Sequence, residues 1–334
     1  MVALIAGASL VLGGHVGLVQ AADPGSGPAP AAVAVGGADA GAAVERASGQ
    51  AARSASLRVL VAHPVVYGLA SQLLAGDGVA GIELVQVAPP RLPAGRIPAY
   101  LAGRGLDSLQ AEAQTADAVL SLRSVWPDDQ LYALARRANI RVVEIDVANP
   151  VEGDLPGLTV AGEEASDDPA RGQGVLARQP WQDAANLARM AALISDGLGR
   201  LRPAAAPGLQ QAQSAISRRL QQAEAEVNRR LAGADDVSVL MWSPRLQTLA
   251  TSLQLEPVGW QAPKAAAELP QALQARLSET GVKLVLSHTA LPKAAAEVVE
   301  AAGVKVVVLS ENAPDPVGAL IGAMQTSATV LTGR

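Results

Sequence analysis

Two histidines stand beyond residue 21, His63 and His288. Each sits at the end of a short apolar run of strand character, Leu57–Ala62 and Val282–Leu286. With a carboxylate from Glu311 or Asp315, two imidazoles could make a three-ligand metal site. The plainer alternative is that each histidine is a hydrogen-bonded loop residue. A second pattern points to different chemistry. Trp126, Trp181, Trp242 and Trp260 stand out in a chain that is only 2% aromatic, and Arg91, Arg96, Arg104, Arg123, Arg178 and Arg245 lie in or beside the same loops. Stacking and guanidinium forks would hold an organic or anionic ligand, although Trp also fills packing gaps and Arg solubilises loops. Covalent chemistry has little support. Ser243 and Ser310 have no histidine close in sequence, no G-x-S-x-G elbow or Walker loop occurs, and no G-x-G-x-x-G is completed. The sequence therefore implies no enzyme and names no cofactor.

The elements that must position these residues are organised around one stretch. From Leu209 to Ala232 there is no Gly or Pro, and Leu209, Ala212, Ile216, Leu220, Ala223, Val227 and Leu231 recur at steps of three and four. That spacing predicts one buried stripe on a helix roughly 36 Å long. On either side, short strands alternate with helices, which predicts parallel sheets covered on both faces. The fold class expected is α/β: two lobes, each with a mainly parallel sheet flanked by helices, joined by one long rigid helix. Ligands of such sheets sit beyond the C-terminal strand ends, which would gather His63, Trp126, Ser243, His288 and Ser310 at one cleft.

Composition narrows the class further. The 334 residues are 49% hydrophobic, carry a net charge of −5 and contain no Cys and no Phe. The acidic balance argues against a nucleic-acid partner, and the missing Cys excludes disulfides, thiolate ligands and a lipid-anchored cysteine. Residues 1–21 read as a signal peptide, with small residues Val19 and Ala21 before the cleavage point. This implies a periplasmic protein. Residues 22–56, rich in Ala, Gly and Pro, read as a disordered linker. The N-terminal lobe is expected at 57–206, the linking helix at 207–233 and the C-terminal lobe at 234–334.

Three segments then carry a resemblance. Trp181-Gln182-Asp183-Ala184-Ala185-Asn186-Leu187-Ala188-Arg189-Met190 is similar to a W-x-D-P-x-N-A-x-x-M motif, Leu255–Gly259 to G-L-E-V-V-G, and Gly281 through Leu309 to a closing pair of strands. In shared order they resemble the zinc- and manganese-binding solute-binding proteins of ABC importers. The resemblance implies a monomer that hands its solute to a membrane permease. It also implies four metal-ligand positions, which fall at or beside Ala99 (within Ile97–Tyr100), near Gln179, on Ser243 and on Ser310; none of these is a good ligand for a divalent transition metal. The expected ligand is therefore a metal chelate or small organic anion, held by Arg96, Tyr100, Trp126, Arg178, Gln179, Trp242, Ser243, Arg245 and Ser310. His63, His288 and Glu311 are the candidates for a relocated metal site. The alternative is a periplasmic accessory protein that keeps the scaffold and binds a protein partner.

Overall fold

The computed structural model describes residues 56–150, 155–158 and 179–333. The expected signal peptide, the expected linker apart from Ser56, and Arg178 lie outside them. The first lobe holds strands β1 (Leu57–Val61), β2 (Ile82–Gln86), β3 (Ala118–Ser121) and β4 (Val143–Asp146). Helices α1 (Pro64–Leu74), α2 (Ile97–Leu101), α3 (Leu106–Ala113), α4 (Leu131–Ala138) and α5 (Ala184–Leu201) surround its sheet. After α6 (Ala206–Leu231), the second lobe holds β5 (Ser238–Met241), β6 (Glu256–Gly259), β7 (Leu284–Ser287) and β8 (Lys305–Val308). Its helices are α7 (Gln247–Ser252), α8 (Leu269–Thr280), α9 (Lys293–Ala301) and α10 (Pro316–Thr332). Among the described residues no helix is long and apolar enough to cross a membrane.

Both sheets are wholly parallel and repeat one topology, β2-β1-β3-β4 and β6-β5-β7-β8. In each, the strand order reverses between the two central strands, so a crevice opens where the connections leave in opposite directions. His63 leaves β1 at one such point, and Ser243 and His288 leave β5 and β7 at the other. Pro64 at the first turn of α1 and Pro244 after Ser243 make these exits abrupt, because proline suits a helix start and cannot extend a strand ladder.

The linking helix α6 runs for 26 residues. Its buried residues are Gly208, Leu209, Ile216, Leu220, Ala223, Val227 and Leu231, with Ala212 half-buried. It begins at Ala206, with Pro207 inside its first turn, and packs on α5, α10 and α1. One hydrophobic cluster consequently runs from β1 and α1 through these helices to Val239, Met241, Leu284 and Leu286 of the second sheet. The alternate residues Leu240 and Val285 face a separate cluster with Leu273, Leu277 and Val299, as a strand period of two requires. The lobes also meet away from α6. Gln72 Nε2 donates to Asp315 at 2.6 Å, and Gly68 packs so closely on Pro316 that an added Cβ would lie 2.8 Å from its Cδ.

Gly208 marks a similar close approach. A Cβ there would stand 2.6 Å from the Asp77 carbonyl oxygen and 2.9 Å from the Gly78 carbonyl carbon, both backbone. Gly208→Ala should therefore destabilise the protein by about 1–3 kcal/mol despite alanine's better helix propensity. Urea denaturation checks this; an unchanged or raised midpoint would show that the 77–79 turn yields freely.

The sequence also reads as a Pro/Gly/Arg loop over Arg91–Gly105 and a helix over Trp181–Leu198, and both readings need correction. The segment 91–105 is not simply a loop, since it contains α2. Trp181 lies in a single 3-10 turn, Pro180–Gln182, and α5 starts at Ala184, where the Asp183 carboxylate accepts from the Asn186 N–H at 2.8 Å. Asp183 is a better helix start than Trp181 because its side chain satisfies a free first-turn donor.

Candidate functional site

The crevice between the lobes is lined from the first lobe by Val65, Gln179, Trp181 and Gln182, and from the second by Leu309, Ser310, Glu311 and Pro316. Glu311 crosses it. It follows the last strand of the second lobe, yet its carboxylate accepts from the Ala94 backbone N–H at 2.9 Å and from Gln179 Nε2 at 3.2 Å, both in the first lobe. Arg245 Nη1 approaches the same carboxylate at 3.7 Å. Gln179 is held in turn by Gln182, whose amide donates to Gln179 Oε1 at 2.6 Å. The cavity beside this cluster measures about 20 Å³, room for about one water.

His288 lies half-buried next to these groups. Its pKa is lowered, first by burial and then by the Arg245 charge, with Glu311 opposing. Burial disfavours the charged imidazole and a neighbouring guanidinium repels it, so His288 is neutral beside a fixed cation. Ser243 is buried and its hydroxyl accepts from the Arg245 N–H, which fixes the turn that presents Arg245. Ser310 Oγ accepts from the Asn312 N–H at 3.2 Å and shapes the loop carrying Glu311.

His63 is buried between two indoles. Its ring lies 4.6 Å from Trp181 and 5.4 Å from Trp126, both edge-on, and neither ring nitrogen has a hydrogen-bond partner among the described residues. Burial drives its pKa down to about 3. Trp181 thus backs the cleft on one side and clamps His63 on the other. Among the described residues no three His, Asp or Glu side chains gather closely enough to hold a metal ion, so His63, His288 and Glu311 do not converge. Asp315, the other acidic candidate, caps α10 by accepting from Gly318 N at 2.7 Å.

The remaining expected ligand-binding residues face other tasks. Trp126 is buried in the core, where its indole N–H has no partner among the described residues. Trp242 stacks on Trp260 at 5.8 Å and packs against the second lobe's own cluster. Tyr100 packs over Gly105 and carries the Arg104 guanidinium 5.3 Å above its ring, while Arg96 is exposed. The structure thus brings together Gln179, Arg245, His288, Ser310 and Glu311, leaves Tyr100 and Trp242 in other contacts, and leaves Arg96 exposed. Sequence reasoning omitted Trp181, Gln182 and Ala94 from the ligand-binding set. The Gln179-Pro180-Trp181-Gln182 run before a capped helix was the available signal for the first two; Ala94 contributes only a backbone donor and carries none.

Several solved structures share this fold. A mutant of FpvC from Pseudomonas aeruginosa is 20% identical with a TM-score of 0.58, over 83% of this chain and 100% of that one. The Zn(II)-bound ZnuA-like domain of Streptococcus pneumoniae AdcA is 16% identical with a TM-score of 0.57, over 83% and 99%. The laminin-binding protein Lbp of Streptococcus pyogenes is 17% identical with a TM-score of 0.53, also over 83% and 99%. No protein of curated function is similar enough in sequence to count as a match. The sequence itself fits the family model ZnuA, the periplasmic component A of the zinc-uptake complex, over residues 109–333. That span takes in about the last two thirds of the first lobe, the linking helix and the second lobe to residue 333, and the chain belongs to this family of ABC-transporter substrate-binding proteins.

Proposed function

We propose that the chain is the exported solute-binding component of an ABC importer, directed to the periplasm by residues 1–21. It captures a solute between the lobes as a monomer and delivers it to a membrane permease, with no covalent step. Its solute is a small organic anion or a metal chelate rather than a bare Zn²⁺ or Mn²⁺ ion. One observation carries this reading: the side chains gathered at Glu311 include the Arg245 guanidinium, the Gln179 amide and a neutral His288, so the fixed positive charge there is that of Arg245. Guanidinium and amide N–H groups recognise carboxylates and repel or ignore cations. The accessory-protein alternative would be favoured by a broad exposed apolar patch. Among the described residues the large exposed hydrophobics are only Ile140, Val143 and Val308.

Indole fluorescence of the metal-stripped protein tests this, since Trp181 borders the cleft. Titration with organic anions and with zinc or manganese chelates should change the emission at micromolar concentrations, while the free ions should not. A submicromolar response to free Zn²⁺ that is lost in a His288→Ala/Glu311→Ala variant would overturn the reading.

A further inference from the structure

The Glu311 carboxylate does something a structural ion pair within one lobe cannot. It belongs to the second lobe, but its two hydrogen-bond donors, the Ala94 N–H and the Gln179 amide, belong to the first. Its side chain is only 9% exposed, and Arg245 supplies the nearby positive charge. The cavity bordering it, about 20 Å³, would admit no solute larger than a water, whereas sites for small organic ligands occupy about 300 Å³ or more. Among the described residues, this part of the crevice is therefore filled by a carboxylate of the protein itself.

We propose that these donors form a carboxylate subsite, that Glu311 fills it in the solute-free protein, and that a solute carboxylate enters by displacing Glu311. The donor geometry is already matched to one carboxylate, with one N–H to each oxygen and a guanidinium alongside. Trp181, which lines the same cavity, gives the rest of such a solute an apolar wall. The solute class is thus a monocarboxylate with an apolar body, or a chelate that presents a free carboxylate. Self-occupancy also sets the affinity: the cleft binds only in the fraction of molecules from which Glu311 has swung out.

The inference rests on the solute-capture reading, but its test does not need the natural solute. Glu311→Ala removes a CH₂–COO⁻ fragment, which acetate replaces atom for atom. Acetate at about 100 mM should raise the melting temperature of Glu311→Ala by about 2–4 °C over equimolar chloride, as expected for a weak ligand of the folded state. It should leave the wild type unmoved, and adding Gln179→Ala or Arg245→Ala should abolish the effect. Acetate no better than chloride, or equally effective on the wild type, would overturn the proposal. Glu311→Gln guards against misfolding of the alanine variant. It keeps the side chain's size and weakens its hold on the donors, so benzoate should bind it about tenfold more tightly than it binds the wild type, with benzamide unaffected. Equal benzoate affinity for the two proteins would also overturn the proposal. Failure of acetate rescue would remove the subsite and leave solute capture standing; rescue without any solute response in the wild type would do the reverse.

Discussion

Acidification from pH 7 to pH 4 should cost the protein about 3 kcal/mol of stability through His63 alone. The folded-state pKa of this histidine is about 3, against 6.5 in the unfolded chain, because its ring is buried between Trp126 and Trp181. Between those two values the unfolded chain binds a proton that the folded protein refuses. Stability is then fully present above pH 6.5, falls by about 1.4 kcal/mol per pH unit below it, and levels off near the folded pKa. Asp129 and Asp146 act in the opposite sense. Burial raises both carboxyls, so their contribution improves as pH falls. The readout is for that reason a difference between proteins. His63→Leu should match or exceed the wild type at pH 7, since it removes two unpartnered ring nitrogens from an apolar site. It should also flatten the urea-derived stability between pH 6.5 and 4 by the stated amount. Parallel pH profiles for the two proteins would mean that His63 is solvated or protonated in the native state.

Leu220→Ala should destabilise the protein by about 3 kcal/mol, within the range for emptying a well-packed core site. Leu220 is fully buried on the linking helix α6. The core it enters is continuous from the first sheet to Val239, Met241, Leu284 and Leu286 of the second. The loss should consequently appear in one cooperative transition, with far-ultraviolet circular dichroism and indole fluorescence giving coincident curves. A shift below about 1 kcal/mol, or two separated transitions, would show that the lobes fold independently and that α6 is only a tether.

That continuity bears on function. A helix without Gly, Pro or a bulge in its middle has no soft hinge, and α6 is further clamped by α5, α10 and α1. Gly68 against Pro316 and Gln72 on Asp315 tie the lobes a second time. Opening of the cleft is restricted to a small tilt, so much of the work of admitting a solute falls on side chains, and on Glu311 first.

The fold was legible because its signals are local. The stripe from Leu209 to Leu231 is a period that only a helix satisfies, and the short β runs that end in His63-Pro64 or Ser243-Pro244 announce parallel strands leaving toward a crevice. The site was legible only by region. Strand-end topology brings Arg245, His288 and Glu311 to one mouth, but it does not decide where a side chain points. Tyr100 packs over Gly105 because α2 forms inside what reads as a loop, and Arg96, just before that helix, is exposed. Trp126 and Trp242 turn inward because a chain without Phe has few other large rings to fill its cores. The bond from Ala94 to Glu311 links residues 217 apart through a backbone donor, which no residue type in the sequence marks.

The central claim is that the cleft carries an anion or chelate and not a bare ion. Native mass spectrometry of the protein purified from its own cells, without chelators, tests it most directly. The expected result is a noncovalent adduct of organic mass that disappears in Arg245→Ala. A single zinc or manganese ion per chain, retained in Arg245→Ala and lost in Glu311→Ala, would contradict it.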